Sequence, residues 1–181
     1  MDSVKIELAT KMLLEALEVD PLDHNFLLTP QRVARVYAEM FAPADTEWPV
    51  FDEQYTDIVL MRGHECWTLC PHHLLPVRLM VSVAYLPNGK VLGASKLARV
   101  VHDCNRSPMT QEALTDAVVK RLRELTHNTS HGEAVFVEGE HGCFRIRGVR
   151  TGASLVTYKF SGIFGRETEM QRRFLDMVGR K

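Results

Sequence analysis

Residues 77–85 read Val77-Arg78-Leu79-Met80-Val81-Ser82-Val83-Ala84-Tyr85. Val77, Leu79, Val81, Val83 and Tyr85 alternate with Arg78, Met80, Ser82 and Ala84, which is the period of a strand with one face turned to a core. Pro87-Asn88-Gly89-Lys90 follows as a turn, and Val91-Leu92 begins an expected return strand. Next, Ser95 is the expected cap of a helix with Leu97, Val100, Val101 and Cys104 on one face. Ser107-Pro108 opens another, with Leu114, Ala117, Val118, Leu122 and Leu125 inward.

Beyond this pair, residues 128–132 read as loop, and 134–137, 144–147 and 155–160 as strands. A last helix from about Glu167 carries Met170, Phe174 and Met177. Upstream, residues 58–60 are a short strand and 43–49, bounded by prolines, a connection. Two helices precede it. One has Ser3 as cap and a stripe of Ile6, Ala9, Leu13, Ala16 and Leu17. The other has Thr29 as cap, Pro30 at its first position, and Val33, Val36, Tyr37, Met40 and Phe41 inward. Strand pair, helix pair, strand pair behind a helical start predicts an α+β fold with an antiparallel sheet. The expected division is a helical region over 1–50 and the α+β domain over 51–181.

Composition agrees with one globular domain and a small extension. The chain has 181 residues, 45% hydrophobic and 25% charged. Its formal charge of −1 speaks against a nucleic-acid coat or a polybasic membrane binder. No apolar run reaches about 18 residues, and the charged start lacks a signal-peptide core, so a cytoplasmic location is expected. Four cysteines in such a setting point to metal or chemistry more than to cross-links.

The densest chemistry is Cys66-Trp67-Thr68-Leu69-Cys70-Pro71-His72-His73, with four Cys or His in eight residues. Thiolate and imidazole are the usual zinc ligands. Cys70 and His73, three apart, make half a site, and His141-Gly142-Cys143 offers a distant third ligand. Three protein ligands leave a position open for water, the catalytic rather than the structural arrangement. The competing description is buried cysteines and surface histidines. Cys66 is either a ligand, a core residue or a redox group, and Cys104 is core. Ser95-Lys96 with Arg99 at a helix start suits phosphate, or simply faces water. Arg145 and Arg147 share a face if 144–147 is a strand, which hints at an anion site beside the metal. Arg32 either joins them or faces water. Gln111-Glu112 sits in a helical first turn, where acids are common for structural reasons.

Together Thr29-Pro-Gln-Arg32, Cys70-x-His-His73, Gly93-Ala-Ser-Lys-Leu-Ala-Arg99, Gln111-Glu112, His141-x-Cys143 and Arg147-Gly148 resemble the GTP cyclohydrolase I family over nearly the whole chain. The resemblance implies a tunnelling fold of ββααββ units, joined edge to edge into pentamers and stacked as a decamer with sites between subunits. It implies Zn2+ on Cys70, His73 and Cys143, and His72 and His141 as the acid/base pair at the purine. Glu112, with Gln111, would read the guanine edge. Ser95, counted among the catalytic residues, would join Arg32, Lys96, Arg99 and Arg147 in holding ribose and triphosphate. The implied activity is zinc-dependent hydrolysis of the guanine ring of GTP with loss of formate, giving 7,8-dihydroneopterin triphosphate for pterin and tetrahydrofolate synthesis.

The chain departs from the family pattern at three places. Pro71 replaces the glutamate of Cys-Glu-His-His, residues 63–67 differ from a Thr/Ser-rich strand, and the Ser/Thr run after Arg147-Gly148 is thinned. These changes leave open a relative that stops at a ring-opened product or uses another guanine nucleotide. From another class, the rival is a silent nucleotide-binding paralogue, against which the retained His72 and His141 argue. A thiol redox role for Cys66 and Cys70 lacks the CxxC spacing.

Overall fold

The structure, a computed structural model, describes residues 1–20, 22–43, 47–126 and 130–179. The expected connection 43–49 and loop 128–132 fall partly outside them. The chain divides into two compact units, Met1–Ala42 and Pro43–Lys181. In the first, α1 (Ser3–Ala16) packs on α2 (Thr29–Met40). Asp2, not Ser3, caps α1: its carboxylate accepts from Lys5 N–H at 3.1 Å. The expected α1 stripe is displaced as well. Thr10 and Leu14 are buried, whereas Leu13 and Leu17 are exposed. On α2, Leu28 is the cap and Thr29 already lies in the first turn. Pro30 and Ala34 are buried, and Val36 is exposed.

The second unit runs β1 (Val50–Asp52), β2 (Val59–Leu69), β3 (Pro76–Leu86), β4 (Lys90–Leu92), α3 (Ala94–Cys104), α4 (Gln111–Leu125), β5 (Gly132–His141), α5 (Gly142–Arg145), β6 (Leu155–Phe160), α6 (Gly162–Arg166) and α7 (Thr168–Gly179). Four strands form one antiparallel sheet in the order β2-β3-β5-β6. This is the antiparallel α+β arrangement, with two helices between two strand pairs, that the sequence led one to expect. The odd-numbered side chains of β3, from Val77 to Tyr85, join Val135 and Val137 under α3 and α4, with Val100, Val101, Leu114, Val118 and Leu122. On the other face, Ala84, Leu86 and Ala134 meet Phe164, Met170 and Phe174. Burying aliphatic side chains of this size contributes about 1.5–3 kcal/mol each.

Three expectations are corrected. Val91-Leu92 does not return along β3, because both edges of β3 are taken by β2 and β5. Instead β4 pairs with β1, Leu92 opposite Val50. It is tied to the sheet where Leu92 N–H donates to the buried Tyr85 hydroxyl at 2.8 Å. The short strand at 58–60 is the beginning of the 11-residue β2, whose polar residues and a register shift at Gly63 (φ +67°) mask its alternation. Residues 144–147 are not a strand. β3 begins at Pro76, so β5 has no further partner beyond His141 opposite Val77, and the chain coils into α5. Helix starts shift too: Gly93 precedes α3 in place of Ser95, and Thr110 caps α4, accepting from Ala113 N–H at 3.2 Å. Among the described residues no helix is long and apolar enough to cross a membrane.

Tyr85→Phe should leave a buried Leu92 N–H without an acceptor. A loss of about 1–3 kcal/mol is expected, read as a lowered denaturation midpoint.

Candidate functional site

β2 ends with Leu69 opposite Pro76, and β5 ends with His141 opposite Val77. Residues leaving both strands therefore emerge at one end of the sheet, on either side of β3. From β2 comes the turn of Cys70 to Leu74. Cys70 C=O accepts from His73 N–H at 3.4 Å and from Leu74 N–H at 2.8 Å, and Cys70 N–H donates to Leu75 C=O at 2.9 Å. Pro71 stands second in this turn, where its fixed φ fits and its missing N–H costs nothing. From β5 comes Cys143 on α5. Gly142 is required there, because a Cβ would press on Pro76 C=O at 2.9 Å.

Cys70, His73 and Cys143 consequently converge, with their ligand atoms within 4.8 Å of one another and Cys70 Sγ 3.7 Å from His73 Nδ1. Burial, then the neighbouring Cys70 thiol, push the Cys143 thiol above its ordinary value, and Arg147 opposes this. A thiol becomes a thiolate ligand when a dication lies beside it, so two sulfurs and an imidazole at this spacing fit a metal. Cys66 is not part of the group. It is buried, its thiol is pushed up to about 11 by burial, and Asn105 Nδ2–H donates to its sulfur at 3.5 Å. Cys104 packs against the core, its thiol pushed up to about 12 by burial and Asp103.

Next to the triad lies a cleft of about 160 Å³, walled by Cys70, His72, Gln111, Glu112, His141 and Phe144 among others. Gln111 is 2% exposed. Its amide nitrogen donates to Val137 C=O at 3.1 Å, to Leu155 C=O at 3.0 Å and to Thr157 Oγ1 at 3.1 Å. Carbonyls only accept, so the amide orientation is fixed and Gln111 Oε1 faces His141 Nε2 at 2.9 Å. His141 must donate there, which leaves the lone pair of its neutral ring on Nδ1. Phe144 stacks on the same ring, centroids 5.1 Å apart. Burial lowers the affinity of His141 for a proton, and Glu112 acts in the opposite sense.

The sequence missed the supports of this arrangement: Thr115, Thr157, Phe144 and Gly139. At Gly139 a Cβ would overlap Gln111 Oε1 and crowd Leu79 Cδ2 at 2.9 Å. A lone glycine near the end of a strand pattern was the available signal of close approach.

Of the expected residues, Cys70, His72, His73, Gln111, Glu112, His141 and Cys143 come together, and Arg147 Nη1 touches His73 Nε2. Arg145 instead pairs with Glu140 at 3.3 Å, so the shared strand face with Arg147 does not exist. Ser95, Lys96 and Arg99 lie in the first half of α3 and do not line the cleft. Arg32 is an exposed residue of α2 in the other unit.

The family model described as GTP cyclohydrolase I matches residues 6–179. A protein of Rhodopirellula baltica named GTP cyclohydrolase 1 is 41% identical over 186 aligned residues, covering 99% of this chain and 80% of the relative. One of the same name from Streptococcus thermophilus is 40% identical over 181, covering 96% of each. Among solved structures, an archaeosine synthase QueF-like protein in the apo form matches 61% of this chain and 96% of its own at 17% identity, TM-score 0.47.

Cys143→Ala should remove bound metal, whereas Cys66→Ala should keep it, as metal analysis of the purified variants will read. Gly139→Ala should leave the metal content intact while displacing Gln111. The imidazole nitrogens of His141, followed by 15N NMR, should then lose their single-tautomer pattern.

Proposed function

This chain belongs to the GTP cyclohydrolase I family and is an enzyme of that class, and on that premise we propose that it opens the guanine ring of GTP in a zinc-dependent reaction. Formate is released and 7,8-dihydroneopterin triphosphate formed, a pterin precursor for tetrahydrofolate and one-carbon metabolism in the cytoplasm. The observation that carries this is the convergence of the Cys70/His73/Cys143 group with His141 and Glu112 around one cleft. Zn2+ held by those three ligands would supply Lewis acidity and a water ionisable near neutral pH.

The chain's own residues do the rest. Glu112, exposed on the rim, accepts the N1–H and 2-amino hydrogens of guanine, a pattern adenine does not offer. Gln111 works from beneath, fixing the His141 tautomer so that Nδ1 can take and return a proton at the purine ring. His72, with Nδ1 3.8 Å from Cys70 Sγ, is the second proton carrier. Arg147 adds positive charge beside the triad for a polyanionic substrate.

At about 160 Å³, the cleft is smaller than the roughly 300–1,000 Å³ typical of small-molecule sites. It suits the base and leaves ribose and triphosphate outside. Ser95, Lys96, Arg99 and Arg32 are the groups to hold them, and a neighbouring subunit is their source. The outer strands β2 and β6 offer the edges for pentamers, which stack as a decamer.

The decisive experiment is to incubate the zinc-loaded protein with GTP and identify products by mass. Dihydroneopterin triphosphate with formate supports the proposal, a ring-opened product alone points to Pro71 as a redirecting change, and untouched GTP refutes it. Glu112→Ala should cost about 2–4 kcal/mol in kcat/KM, roughly 30- to 1,000-fold, because buried substrate N–H groups lose a charged acceptor. Near-normal turnover would reduce Glu112 to a helix-start acid.

A further inference from the structure

Outside this site, a second cluster joins β2 to the last turn of α3. His64 Nε2 and His102 Nε2 lie 3.1 Å apart, their rings at 83° and their centroids 5.0 Å apart. We propose that His64 and His102 form a second metal site, for a borderline transition dication such as Ni2+, Zn2+ or Cu2+.

The geometry carries it. Imidazole nitrogens bind such ions at about 2.0–2.1 Å, so two nitrogens 3.1 Å apart subtend roughly 100° at a shared ion, close to the tetrahedral angle. The centroids are nearer than a straight N–H···N line would place them. At least one ring is therefore turned off that line, as it is when two rings share an ion.

Both residues stand on fixed elements. His64 pairs with Val81 of β3, just after the shift at Gly63. α3 is anchored by the fully buried Val100 and Val101 and by Asn105, which donates to Trp67 C=O of β2 at 2.8 Å. Little ordering is needed on binding. The adjacent carboxylates are engaged elsewhere: Asp103 with Arg106 and Arg121, Glu65 with Arg78 and Trp67. Water completes the coordination. Two imidazoles without carboxylates select transition metals over Mg2+ and Ca2+, with Cu2+ the tightest. An ion here clasps α3, the helix of Ser95, Lys96 and Arg99, to β2.

The test loads the triad with zinc, removes excess metal, and titrates Ni2+ into the whole protein by calorimetry, with metal analysis after dialysis. The wild type should take up one additional equivalent per chain. His64→Gln and His102→Gln should each weaken that uptake by about tenfold or more, since half the ligands are gone, while keeping triad zinc and circular dichroism. His24→Gln should change nothing. Because His102 is exposed on a helix, its variant reads the site even where His64→Gln disturbs β2. No additional Ni2+ on the wild type at millimolar concentration, or uptake unchanged in the two variants, overturns the site.

Discussion

The pairing of β3 along both of its edges governs this molecule. β3 is the apolar centre of the sheet, and its start at Pro76 sets where its two neighbours stop. β2 releases the chain at Leu69 and β5 at His141, on opposite sides of the same few residues. The Cys70–Leu74 turn and α5 then bend towards each other. Cys143 thereby meets Cys70 and His73, some seventy residues earlier in the chain, within 4.8 Å without any element crossing the sheet. The metal group follows from strand register: a slip of one residue in either ladder would turn its donors to the opposite face.

The second organising feature is one buried amide. Gln111 opens α4, yet its side chain runs inward across Gly139 and binds β5, β6 and His141 together. A polar group this deeply buried is stabilising only when every partner is present. Here each of its atoms has one. The network extends through Thr157 Oγ1, 2.7 Å from Thr115 Oγ1, which in turn donates to Gln111 C=O at 2.7 Å. The His141 imidazole is thereby held by the core itself rather than by the loop after it, which keeps its two nitrogens distinct.

Pro71 belongs to the same economy of fixed parts. In its turn it supplies rigidity to the segment bearing Cys70, His72 and His73, where the family pattern has a carboxylate. Preorganising ligands lowers the ordering cost of binding, and the lost carboxylate removes an acceptor beside the histidines.

By itself the sequence determined the succession of strands, helix pair and strands, the β3 alternation, the inward faces of α3 and α4, and the residue types of the candidate metal group. These are local properties, written in periodicities of 2 and 3.6 and in the chemistry of Cys and His. The cluster around Cys70 was legible because its members are neighbours in the chain. Tertiary structure alone decided the rest. It sent Val91-Leu92 to β1, coiled 144–147 into α5, and parted Arg145 from Arg147, since those outcomes depend on which strand edges are already occupied. It left Cys66 outside the triad and turned Gln111 inward to His141. The physical reason is that hydrogen-bond partners and burial are set by residues distant in sequence, and no window of local pattern contains them.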